Sequence, residues 1–571
     1  MNIRRMLLVA VGIALCGAAT AQAQWGPGGT GALAGTGAYV TTGTNDYDQA
    51  GNWNNSSVNN SFTGTTLTGD LRLYLDTTAL SNSGLSFNYG GDFNLTLQNS
   101  AGTGTRGLNL GGNVSFNPTG AAGRTLTFDR IAASFNGVDR TFDIGTGHTM
   151  VYTGAAVSNG TGRTLIKTGG GIFELNAGSG NVWNLQLNEG EFRFGLANRL
   201  GGSATIESSG TLNLNGFSQT TAVPLILNGG ALTGGAASFL TNATGLTSTG
   251  GGNVTFTGAG GLTLGGNVTY NSGAANKTLT FTGGELKLGA SRTFAVANGD
   301  QAIDVDVGAV VSGTGFGVTK TGAGVMRMSG VNTYTGTTAV NAGKLEVAGS
   351  GDINSTIAIT VAAGGSLFYN SSVALTDAPT LNGSGGTKAI LGGSGTINAA
   401  VTLNSLDDVL APGNSPGTLT FGQTQTWDSY TYQWEVNNWT GTTAGTDFDQ
   451  IGITGSLDLS GSSYVLDILS LTSGNVAGNV PNFSETADRS WKILTTTAGI
   501  TGFSAGNWSL NTTGFTNPTT GSWSISKDGN DLKLNYSVIV VPEPSTLLLG
   551  GIGLAVTGWA ARRRRQGLGR G

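Results

Sequence analysis

Asp129, Arg130, Asp139, Arg140 and Asp143 lie just upstream of the only histidine in the chain, His148, and together form its best set of acid and base groups. Carboxylates beside an Arg, Lys or His base could act on an acidic polysaccharide if neighbouring strands brought them together. The simpler reading is a surface ion-pair ladder with a solvated histidine. With only 10% charged residues in the chain, that reading is preferred and no catalytic residue is assigned.

Other acidic groups offer less. Asp304 and Asp306 share a strand face but have no basic neighbour in sequence, which suggests a solvated face or an adventitious cation site. Asp447 and Asp449, near Glu435, could hold Ca²⁺ weakly, but the Gly-Gly-x-Gly-x-Asp pattern of calcium-binding β-rolls is missing, so no metal site and no cofactor are assigned. The glycines at 250–252 lack the Lys-Ser/Thr ending of a phosphate loop and belong to turns.

Any such group must be placed by short strands. The chain has 571 residues, 99 of them glycine, with 38% hydrophobic residues. That is too apolar for disorder and lacks the strict period of collagen. Thr125-Leu126-Thr127-Phe128, Val254-Thr255-Phe256-Thr257, Thr278-Leu279-Thr280-Phe281 and Ile303-Asp304-Val305-Asp306-Val307 alternate apolar with polar residues, mostly with Gly or Asn close by.

One pair of segments is nearly a copy. Lys167-Thr168-Gly169-Gly170-Gly171-Ile172 recurs as Lys320-Thr321-Gly322-Ala323-Gly324-Val325. In each case an Asn-x-Gly motif follows 21 residues after the lysine, at Asn188-Glu189-Gly190 and Asn341-Ala342-Gly343. Composition bias does not keep two turns in register, so these are structural repeats, with Gly169, Gly171, Gly190, Gly322, Gly324 and Gly343 as turn residues. Short strands, tight turns and a period of roughly 20 to 25 residues predict an all-β parallel β-helix over residues 24–425. Leu, Ile, Val and Phe would stack inside, with Thr and Asn outside.

Residues 426–541 hold six of the ten tryptophans, at Trp427, Trp434, Trp439, Trp491, Trp508 and Trp523. An aromatic-rich β cap over the last rung is expected, with a sugar-binding aromatic platform as the alternative.

Both ends read as addresses. Arg4 and Arg5 precede an apolar stretch, and Ala21 and Ala23 place a signal-peptidase site before Gln24, giving a signal helix over 1–23. Cys16, the only cysteine, would leave with it, so the mature protein would have no disulfide. At the other end, Pro542-Glu543-Pro544 precedes an uncharged run over 545–561 and then Arg562, Arg563, Arg564 and Arg565, with a short tail at 566–571. The run is at the lower limit for crossing a bilayer, and the arginines would stay on the cytoplasmic side of an inner membrane that holds the chain transiently. Removing both ends leaves 20 basic against 31 acidic groups, which disfavours nucleic acid as a partner.

The order of Pro-Glu-Pro, apolar run and arginine cluster over 542–565 resembles the PEP-CTERM sorting tail of Gram-negative bacteria. That resemblance implies recognition by the membrane protease exosortase and removal of the tail near Pro-Glu-Pro. Residues 316–348, and more loosely 163–195, resemble the passenger-associated β-strand repeat of autotransporters, and Pro412-Gly413-Asn414-Ser415-Pro416-Gly417-Thr418-Leu419 resembles the segment that commonly follows the last such repeat. Only about 120 residues separate the repeat region from the tail, too few for a translocator barrel. The resemblance therefore implies an exported, non-enzymatic surface or matrix protein, structural or adhesive in an exopolysaccharide-rich biofilm or floc, with a β-helix polysaccharide lyase or hydrolase as the alternative.

Overall fold

The computed structural model describes residues 59–539 apart from short breaks at 67–70, 76–78, 83, 91–93, 100–105, 136, 155–161, 178–182 and 272–276, together with 557–559 and 562. The expected signal peptide and the Pro-Glu-Pro segment lie outside the described residues, as do Arg563, Arg564 and Arg565. Among the described residues no helix is long and apolar enough to cross a membrane.

The chain forms a parallel β-solenoid. One ladder of parallel strands runs from Leu71–Leu75 to Trp508–Asn511. A second runs beside it from Asn59–Thr66 to Pro379–Asn382. A third face is built in shorter pieces, such as the five strands from Gln219–Thr221 to Val310–Ser312. The step between paired strands varies more than the repeat spacing suggests. It is 19 residues for Ile172↔Glu191 and 31 for Leu95↔Leu126, because extra residues enter the turns without disturbing the pairing.

Strand periodicity makes the core continuous. In Thr125–Asp129 and in Gly343–Gly349 buried and half-exposed side chains alternate, so each strand contributes every second residue to the interior. Stacking in register then aligns Val305, Met326, Leu345, Leu367, Leu391, Leu410 and Tyr432 in one internal column. All seven are buried, and each of the six aliphatic ones contributes roughly 1.5–3 kcal/mol.

The ladder crosses residue 425 without a break. Asn404–Pro412 pairs in parallel with Ser429–Val436, which pairs with Ser463–Ser470 and then Trp508–Asn511, so the aromatic-rich region continues the solenoid with wider rungs. The edge is finished differently. The hairpin Ser522–Asp528 and Asp531–Ser537 lies antiparallel on Arg489–Thr496, ending the parallel run on that face. Trp427, Trp434, Trp439, Trp491 and Trp508 are buried, and Trp523 packs against them with its ring centroid 5.9 Å from that of Trp491. Their rings fill the cap rather than forming an exposed sugar platform.

Leu345 sits in the middle of the internal column. Leu345→Asp places an unpaired carboxyl there at a cost of several kcal/mol. The expected result is a lower denaturant midpoint with little change in the spectrum of the folded state; an unchanged midpoint would contradict the stacked core.

Candidate functional site

The acid and base groups picked out in the sequence do not converge. Arg130 pairs with its neighbour Asp129 at 3.3 Å, and Asp129 also accepts from Thr153 Oγ1 at 3.0 Å. Asp139 accepts the backbone N–H of Thr164 at 2.8 Å, and Asp143 accepts from Asn117 at 2.7 Å and Thr168 at 3.0 Å. Arg140 is buried and donates to the carbonyls of Leu110 at 2.5 Å and Asp139 at 3.1 Å.

His148 corrects the expectation of a solvated histidine. It is 5% exposed, lies edge-on to Phe116, and accepts the Arg124 backbone N–H through Nδ1 at 3.3 Å. Burial, helped by the charge of Arg124, holds its pKa below the usual value, so the neutral acceptor form is favoured. The two aspartates of the 303–307 segment, of which only Asp306 lies in the strand Val305–Val307, also differ from expectation. Asp304 is fully buried and accepts the N–H groups of Gly299 and Val325 at 2.8 and 2.7 Å. Asp306 finds its cation one rung on, a two-pronged pair with Arg327 at 2.5 and 3.0 Å.

The acidic groups near Trp434 form part of a cleft of about 240 Å³ between the last repeat and the cap. Asp447 does not face it as a ligand; it braces its own loop through Thr443 N at 2.9 Å and Asn438 Nδ2 at 3.0 Å. Asp449 is 1% exposed and uses both oxygens on backbone N–H groups, of Gly417 at 2.7 Å and Glu435 at 3.0 Å. It therefore clamps the 412–418 loop to the cap. Burial first, then the neighbouring Glu435, pushes its pKa well above the carboxylate range. Burial also raises Glu435, against a hydrogen bond donated by Ser415.

The cleft exists because one outward column loses its side chains. Register aligns Glu346, Phe368, Gly392 and Ala411, and Gln433 follows the pair Leu410↔Tyr432 on the next strand. The Phe368 ring leans over Gly392, where an added Cβ would come within 3.0 Å of it, so the notch opens over Ala411, between Phe368 and Gln433. Over one side, Lys344 Nζ sits 4.0 Å from the Phe368 ring centroid and donates to Asn414 Oδ1 at 3.0 Å. Ser415, at φ 91°, holds a left-handed conformation that is rare for a side-chain-bearing residue.

A different arrangement explains the repeat. Lys167 is fully buried, and its ammonium donates to the carbonyls of Thr168 at 2.7 Å, Gly169 at 2.6 Å and Glu189 at 3.3 Å. Lys320 repeats this with Thr321 at 3.0 Å, Gly322 at 2.7 Å and Ala342 at 3.1 Å. The third acceptor is the middle residue of Asn-x-Gly on the next rung, so the 21-residue offset is the distance over which one lysine ties two turns together. Sequence reading found the motif and missed the lysine's role; the signal was an unpaired basic residue inside an otherwise alternating strand.

The six repeat glycines are of two kinds. Gly169, Gly190, Gly322 and Gly343 have φ between 65° and 76°. At Gly171 and Gly324 the limit is space, since a Cβ would come within 2.4 Å of the carbonyl oxygens of Gly145 and Ala297.

Comparison with known families agrees with this layout. Residues 318–347 match the passenger-associated-transport-repeat, a span that opens on the strand carrying Lys320 and closes beyond Gly343. Residues 540–565 match the PEP-CTERM protein-sorting motif. The chain therefore carries a signal for export to the cell envelope or surface of Gram-negative bacteria, of the kind processed by exosortase. No curated protein matches the chain.

Burial pulls Lys167 and Lys320 down to about 8, against the carboxylates of Asp143 and Glu189 near the first and Asp304 near the second. Between pH 8 and the ordinary value of 10.5, the unfolded chain therefore keeps protons that the folded one has released. Stability should rise with pH across that window. Comparing denaturant midpoints with a Lys167→Met/Lys320→Met protein isolates this effect, since the variant should lack the rise. At pH 7 Lys320→Met alone should lose roughly 2–4 kcal/mol because carbonyls are left without a donor.

Proposed function

We propose that the protein is a non-enzymatic scaffold of the cell surface or extracellular matrix, structural or adhesive in an exopolysaccharide-rich biofilm or floc. Signal peptidase would remove residues 1–23 after Ala23, and exosortase would recognise Pro542, Glu543, Pro544 and Arg562 to Arg565 and release the tail after a transient stay in the inner membrane. The match of residues 540–565 to the sorting motif carries this reading.

Two features of the folded region support it. The solenoid presents long polar faces, with outward Thr319, Thr360 and Thr380 on nearby rungs. Arg140 and His148, the groups best suited to acid–base work, are engaged with backbone inside the fold. A scaffold acts through its extended surface and needs no assembled base.

Deletion of the gene should weaken cell aggregation or matrix cohesion, and the full-length gene should restore it. A version lacking residues 542–571 should not. Intact mass of the surface-extracted protein should correspond to a start at Gln24 and an end near residues 541–545. Recovery of protein still carrying Arg562 would refute tail removal, and cleavage of an acidic polysaccharide by the purified protein would refute the scaffold reading.

A further inference from the structure

We propose that the cleft between Phe368 and Gln433 binds a single ring of a neutral sugar. The argument rests on which polar groups the fold leaves unpaired there. Among the described residues none hydrogen-bonds the Gln433 side chain, while Ser415 takes only one oxygen of Glu435 and no described donor reaches Oε1. The Lys344 ammonium, with three N–H groups, has one acceptor in Asn414. The cleft thus offers free donors and free acceptors together.

That combination selects the ligand. An anion needs donors and a cation needs acceptors, whereas each hydroxyl of a sugar is both. An acidic sugar would meet Glu435, and an amino sugar would meet Lys344. Asn414 holds Lys344 in place, accepting from it and donating to Glu346 at 3.3 Å. A bound divalent ion is disfavoured because both oxygens of Asp449 are already taken by backbone N–H groups.

Shape agrees with chemistry. About 240 Å³ is below the roughly 300–1,000 Å³ of drug-sized pockets and suits one ring. Ala411, Pro412 and the edge of Phe368 supply apolar surface for the C–H side of a ring. The strained backbone of Ser415 holds its hydroxyl on Glu435, and such strain is kept where the surroundings fix a residue for a task.

The two carboxyls do not make this a hydrolase. Asp449 is buried behind Gly417 and spends its oxygens on backbone, so only Glu435 can reach a ligand. A glycosidase needs two carboxyls flanking the bond that breaks. Binding without turnover is the outcome.

Saturation-transfer NMR on the mature protein provides the test, with methyl α-glucoside, methyl β-galactoside, glucuronate and glucosamine as probes. At least one neutral glycoside should receive saturation, and the charged sugars should receive several-fold less. Gln433→Ala should abolish the transfer while leaving the melting temperature unchanged, because the amide holds nothing in the fold; Gln433→Leu, which keeps the aliphatic packing, should behave alike. Absence of transfer to all four probes, stronger transfer to a charged sugar, or transfer that survives in both variants would overturn the proposal. None of these results bears on tail processing or matrix cohesion, so the cleft can fail while the scaffold reading stands.

Discussion

A buried ammonium holding carbonyls from two successive turns is the contact on which the two copied corners of this solenoid depend, at Lys167 and at Lys320. A parallel ladder satisfies the backbone along its strands, but at these two corners the chain bends and the carbonyls of Thr168, Gly169, Thr321 and Gly322 turn to the lysine. Lys167 and Lys320 solve this with one side chain, because an ammonium has three donors and a four-carbon stem that reaches past its own turn to the next. Left-handed glycines at Gly190 and Gly343 then become necessary, since any Cβ there would collide with the preceding rung's backbone.

In so charge-poor a chain, several of the charged side chains pair between rungs. Asp306 with Arg327 and Glu174 with Arg193 are pairs separated by one turn of the solenoid, and Asn370 with Glu346 follows the same rule. Each pair is half exposed and contributes little on its own. Their value is register, because a slip of one residue turns an outward charge into the apolar core.

This geometry also sets what could be read from sequence. Alternation in Thr125–Asp129 and the repeated Lys-Thr-Gly unit were legible, since each depends on neighbours in the chain. The burial of Asp304 and His148 was not, because it depends on backbone groups brought close only by stacking: Val325 lies 21 residues from Asp304, and Arg124 lies 24 from His148. The cleft was illegible for a related reason. Its notch comes from Ala411, a small residue that looks ordinary until register sets it between Gln433 and the Phe368 ring that leans over Gly392.

The widening of the rungs beyond residue 425 follows from the need to stop. An internal column of aliphatic side chains cannot simply end, since the last rung would expose it together with a row of free strand edges. Here the column passes from Leu410 to Tyr432 and Leu466, while Trp434, Trp439 and Trp491 fill the larger cross-section. A larger cross-section leaves room for the antiparallel hairpin of residues 522–537 to lie on the Arg489–Thr496 edge. Reversing strand direction there breaks the pattern that a further parallel rung, from this chain or another, would need to extend. The same device that ends the core lies immediately before the residues matched by the sorting motif.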